Sequence, residues 1–136
     1  MATAKSSIRI GAHVPTSGGM ATRSIEYALT IKAETIQVFA SSPRTWATSA
    51  PNPAMDEAFK AKTSEHDIKP YVHASFLINL GSPTVSTYEN SLAATAYSLK
   101  RGYEIGAHGV VVHTGSAVDE SHVDKAWKQI HEGVMP

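Results

Sequence analysis

Residues 8–13 (IRIGAH) and 35–39 (TIQVF) have the β-branched, apolar composition of strands, and between them residues 21–32 place Ile25, Ala28, Leu29 and Lys32 at helical spacing. After a loop rich in Ser, Pro and Ala, residues 54–66 set Met55, Ala58, Phe59 and Lys62 on one helical stripe, and residues 68–73 read as a third strand. Residues 85–101 form a longer helical segment with Leu92, Ala96 and Leu99 on one side, followed by a short apolar run of buried-strand type at residues 109–113 (GVVVH). A last amphipathic helix spans residues 123–132 through Val123, Ala126, Trp127 and Ile130, with Gly133 as its terminator. A fifth strand is the element expected next.

Four strand-helix units in strict alternation imply a parallel sheet, because parallel neighbours need crossover connections. An open doubly wound sheet and part of a barrel both fit that order. A complete (β/α)8 barrel needs roughly 250 residues, so a chain of 136 residues would supply about four of its βα units.

Composition narrows the function classes. The chain contains 12 Lys and Arg against 12 Asp and Glu, so its formal charge is zero and no broad basic footprint advertises nucleic acid. No apolar run approaches a membrane span, and the polar start at residues 1–7 lacks the apolar stretch of a secretory signal. These features predict a soluble, cytoplasmic protein with no membrane partner. Cysteine is absent, so any metal must be held by His and carboxylates.

Three of the seven histidines, His13, His73 and His113, fall at the carboxyl ends of the first, third and fourth predicted strands. That end is the functional face of parallel α/β proteins. One such His most often bonds a nearby carbonyl; three converging from different strands supply the neutral imidazoles that zinc or another borderline metal takes. His66, His108, His122 and His131 sit on helices or before a strand, where solvent-facing or capping roles are expected. No Asp or Glu stands at a predicted strand end, although hydrolytic sites with several metals use carboxylates to bridge the ions, so the visible site is incomplete.

Four segments in order, residues 10–19 (IGAHVPTSGG), 39–46 (FASSPRTW), 73–81 (HASFLINLG) and 112–116 (VHTGS), resemble endonuclease IV. The resemblance implies a (β/α)8 TIM barrel with three zinc ions, in which His73 and His113 match metal ligands and the Glu, Asp and His ligands of later strands lie outside this chain. His13 matches a position beside the site that holds no metal. Arg44 and Phe76 match loop residues that contact DNA through the minor groove at the lesion. Phe76 stands where the family commonly has Tyr, Ala74 where it has Asp and Thr114 where it has Pro; none of these removes a ligand. Residues 1–136 would then be the N-terminal half of a single barrel domain, part of an intracellular DNA repair enzyme, monomeric at full length, that cuts double-stranded DNA 5′ to an abasic site. Two alternatives are a sugar isomerase or epimerase on a related barrel, against which the FASSPRTW and HASFLINLG segments argue, and a truncated product without activity.

Overall fold

The computed structural model describes residues 8–135; the polar start at residues 1–7 and the closing Pro136 lie outside the described residues. Strands β1 (Gly11–His13), β2 (Thr35–Phe39), β3 (Lys69–His73) and β4 (Val110–Val111) alternate with helices α1 (Ile25–Thr30), α2 (Pro53–Glu65), α3 (Val85–Glu104) and α4 (Val123–Val134). α1 is entered through a π-helical stretch, Gly19–Ser24, and α4 through a 3-10 turn, Glu120–His122. All strands are parallel and lie in the order β1-β2-β3-β4. A doubly wound sheet reverses its strand order at a switch point, whereas a barrel adds each strand beside the last. The unreversed order is that of a barrel segment.

Alternation along the strands separates two faces. Ile36, Val38 and Val72 point outward and bury against Ile25 and Ala28 of α1, Phe59 of α2, and Ile68 and Ile105 at the helix-to-strand corners. Thr35, Gln37, Phe39, Tyr71, His73 and Val111 occupy the opposite face, where Tyr71 and Val111 are exposed. Gly11 is required at the start of β1, since a Cβ there would lie 1.6 Å from the Thr35 carbonyl oxygen.

Three helices return to the sheet through one repeated joint. Lys32, Asp67 and Gly106 take left-handed φ values of 57°, 52° and 70°. The residue after each donates its N–H five positions back, Ala33 to Ala28, Ile68 to Thr63 and Ala107 to Gly102, at 2.8 to 2.9 Å. This is the Schellman closure, which satisfies the last carbonyls of a helix and turns the chain into the next strand. At its other end α2 is capped by Asn52, whose Oδ1 accepts from the Met55 N–H at 3.3 Å, with Pro53 as the first helical residue.

Several boundaries and faces differ from those the periodicity predicts. β1 starts at Gly11, because only Gly11, Ala12 and His13 pair with β2. β4 is two residues long, since the chain after β3 leaves the sheet toward Pro43; His113 therefore stands two residues past its strand. Of the predicted stripe on α2 only Phe59 is buried, and Asp56 and Thr63 join it in place of Met55, Ala58 and Lys62, with Asp56 bound to Arg101 through two 2.8 Å hydrogen bonds. α3 buries Ser91, Ser98 and Arg101, leaving Ala96 and Leu99 exposed. Gly133 lies inside α4 instead of ending it: a Cβ there would come 2.7 Å from Leu92, so the glycine permits α4 to approach α3. His122 is buried with Nε2 unpartnered, not solvent-facing. Among the described residues no helix is long and apolar enough to cross a membrane.

Candidate functional site

The inward face of the sheet gathers the histidines at the carboxyl ends of its strands. Phe39 pairs with His73 and His73 with Val111, so these residues share a face with His113, two positions further on. His73 is central, its ring centroid 5.0 Å from that of His113 and 6.4 Å from that of His13. Phe39 of β2 lies between the histidines of β1 and β3, its ring 4.4 Å from that of His13 and 5.3 Å from that of His73.

Hydrogen bonds set the two imidazoles apart. His73 Nδ1 lies 2.7 Å from the Ala74 carbonyl oxygen, which can only accept, so Nδ1 carries the proton and Nε2 keeps its lone pair. A ring held in this way is ready to ligate a metal through Nε2. With the Gln37 amide assigned Nε2 toward the ring, Gln37 donates to His13 Nδ1 at 2.9 Å, and the proton of neutral His13 sits on Nε2. Burial, followed by the nearby His73, holds the His13 pKa below its ordinary value. His13 therefore keeps its proton on Nε2, and its one lone pair, on Nδ1, is taken up by Gln37.

Among the described residues no group of three or more His, Asp or Glu is placed to hold a metal ion. The three strand-end histidines are thus not a closed site, contrary to their simple convergence. The His73 and His113 pair still fits zinc as part of a larger set, because two neutral imidazoles with carboxylates from elsewhere are ligands this ion accepts.

The loops beside the pair are tied together. The Phe76 N–H and the Ser75 hydroxyl both donate to the Pro43 carbonyl at 3.0 Å. The same loop is held further along by Tyr97, whose hydroxyl accepts from the Ser49 N–H and donates to the Ser49 carbonyl. Phe76 is 49% exposed and lies edge-on to Phe39 and His73, at 5.1 and 5.3 Å, so it overhangs the site instead of packing in the core. Arg44 and Trp46 are exposed on the tied loop, and Arg44 makes no hydrogen bond or ion pair among the described residues. Sequence reasoning did not single out Gln37 or Phe39, although both alternate with the buried Ile36 and Val38 and so had to face the site.

This combination of an unreversed parallel sheet and strand-end histidines defines the class. Residues 25–135 match the xylose isomerase-like TIM barrel family, and the chain belongs to it. Its likeness to endonuclease IV is borne out within that family. The chain is 47% identical over 127 residues to a probable endonuclease 4 of Streptomyces coelicolor, a match covering 93% of this chain and 43% of that one. The crystal structure of endonuclease IV from Thermus thermophilus superposes with a TM-score of 0.75 at 32% identity, over 92% of this chain and 46% of the other. A D-tagatose 3-epimerase-like protein superposes with a TM-score of 0.63 at 14% identity, over 92% of this chain and 46% of that one, and shares the fold alone. The chain spans about half the length of the relatives it matches.

Proposed function

We propose that this chain is the N-terminal half of a single-domain, zinc-dependent DNA repair endonuclease that hydrolyses the phosphodiester 5′ to an abasic site in duplex DNA. The observation that carries the reading is the His73 and His113 pair, 5.0 Å apart on the open strand-end face, with Phe76 overhanging both rings. The 47% identity to a protein named probable endonuclease 4 supports it over a sugar isomerase.

His73 and His113 would hold zinc through ring nitrogens, and His73 is already oriented for this by its bond to Ala74. Zinc when bound supplies an acidified water and charge stabilisation at the phosphodiester, three ions being expected in the complete site. His13, held through Nδ1 by Gln37, would offer its Nε2–H as a hydrogen-bond donor beside the metal pair. Phe76 offers an exposed ring to the gap left by the missing base, and Arg44 offers a cation to the DNA backbone. Among the described residues no third ligand or bridging carboxylate joins the two imidazoles, so this half alone is expected to be inactive.

The test is His73→Ala and His113→Ala in the complete barrel, with zinc content and nicking of an abasic duplex measured together. Both should fall in each variant, since water replaces a direct ligand poorly. Full zinc stoichiometry in either variant overturns that assignment.

A further inference from the structure

The loop after β3 and the loop after β4 are locked to each other at one side chain, Asn79. Its Oδ1 accepts from the Ser116 N–H at 2.8 Å and from the Gly81 N–H at 3.1 Å. The backbone N–H of Asn79 donates at 2.8 Å to the hydroxyl of Ser91, a fully buried residue of α3 that in turn donates to the Thr87 carbonyl at 2.6 Å. Asn79 is thus fixed through its backbone to the body of a long helix, while its carboxamide oxygen reaches out to a loop 37 residues further along the chain.

Two glycines make the approach possible. Gly115 has φ near +90°, and a Cβ there would lie 2.1 Å from Asn79 Oδ1. A Cβ at Gly81 would crowd the Ser116 carbonyl oxygen at 3.2 Å. The lock matters because β4 ends so early: Val111 is the last residue held in the ladder, its carbonyl accepting from Ala74. Among the described residues, residues 112–115 make no hydrogen bond of their own, and the next fixed point is the Ser116 N–H on Asn79. Between Val111 and Asn79 the backbone at His113 has no hydrogen bond among the described residues and is held only by apolar packing of Val112 and by ring contacts of His113 with His73 and Phe76, and His113 and Asn79 line one groove.

We propose that Asn79 is a positioning residue for His113: by holding the turn at residues 114–116 it fixes the imidazole at the spacing from His73 that a shared metal site requires. This rests on the reading of His73 and His113 as ligands. The lock also joins the loop carrying Phe76 to the loop carrying His113, so it sets two parts of the site with one carboxamide.

The test compares Asn79→Ala, Asn79→Ser and Asn79→Asp with the parent and with His113→Ala, all in the complete barrel. Zn2+ affinity is read by competition with a chelator, ligand geometry by the visible spectrum of the Co2+-substituted protein, and folding by thermal unfolding. Loss of a partner that orients a ligand weakens metal affinity about 10- to 100-fold. Asn79→Ala should lose about tenfold or more in Zn2+ affinity and shift the Co2+ spectrum, while Asn79→Asp, which keeps the oxygen acceptor, recovers most of both. Asn79→Ser shortens the side chain below the reach to Ser116 and reads the same loss if the alanine variant does not fold. If His113→Ala loses zinc but Asn79→Ala and Asn79→Ser bind Zn2+ as tightly as the parent, the positioning role is wrong while the ligand reading stands. If His113→Ala keeps its zinc affinity, both fall.

Discussion

Phe76 combines two properties that rarely coincide: it is half exposed, yet held in place. Its N–H is fixed to Pro43 and its ring leans edge-on against Phe39 and His73. A large apolar ring kept out of the core in this way is suited to stacking on exposed bases, which is worth about 1 to 3 kcal/mol per base. In the complete barrel, Phe76→Ala is expected to weaken binding to an abasic duplex about tenfold or more, with zinc content and weak binding to intact DNA unchanged. Stability should change by no more than about 1 kcal/mol, because a surface side chain is removed. Phe76→Tyr, which keeps the ring, should be close to neutral. Affinity and unfolding measured on the same variants decide between this and a packing role, which would instead show a large loss of stability at unaltered affinity. What could be read from the sequence was that His73 and His113 gather at the carboxyl-end face, and the resemblance already set His13 apart from them; what could not was that His113 stands two residues past β4, and that the Gln37 bond occupies His13 Nδ1.

The helix-to-strand joints show where sequence patterns lose their information. Gly106 is a recognisable C-terminal signal, but Lys32 and Asp67 adopt the same left-handed conformation without glycine. Their joints are fixed by the bonds of Ala33 and Ile68 five residues back into the helix and by burial of those two side chains in the core, the second of which is not local in sequence. A side chain with Cβ pays about 1 to 2 kcal/mol in this conformation. Lys32→Gly is therefore expected to raise stability by about 1 kcal/mol, read as a higher urea midpoint with unchanged slope, and a lower midpoint would show that the lysine stem contributes more than its backbone costs. On α2 and α3 an ion pair overrides the apolar stripe. Asp56 and Arg101 are both buried and joined by two hydrogen bonds, and those bonds to Asp56 are the main cause that raises the Arg101 pKa. Breaking a buried pair from one side costs about 3 to 5 kcal/mol, whereas replacing both partners with apolar residues is often neutral. Arg101→Met should thus be strongly destabilising and Asp56→Leu/Arg101→Met should recover most of the loss; equal midpoints for Arg101→Met and the parent would show that the pair contributes nothing.

The molecule leaves two surfaces that parallel barrels normally cover. Parallel sheets are buried on both faces, but here the inner face exposes Tyr71 and Val111, and both β1 and β4 are edges. Between α3 and α4 runs an apolar groove lined by Leu80, Leu99, Val110, Trp127 and Ile130, with Trp127 68% exposed. The stripe of Leu92, Ala96 and Leu99 was legible as an amphipathic pattern, but no local signal tells which neighbour covers it, and in this chain Leu99 stays open. Open strand edges and contiguous apolar surface favour pairing with another chain. The 136-residue chain expressed alone is expected to self-associate and to leave abasic duplex intact. Co-expressed with the second half of a complete barrel, it should instead form a one-to-one complex of defined mass in which the inner face and the groove are covered and Zn2+ is retained. Light scattering on both preparations, with a nicking assay on an abasic duplex, distinguishes the cases. A monodisperse monomer that cuts abasic DNA without the second half would show that these surfaces need no cover and that the two histidines suffice.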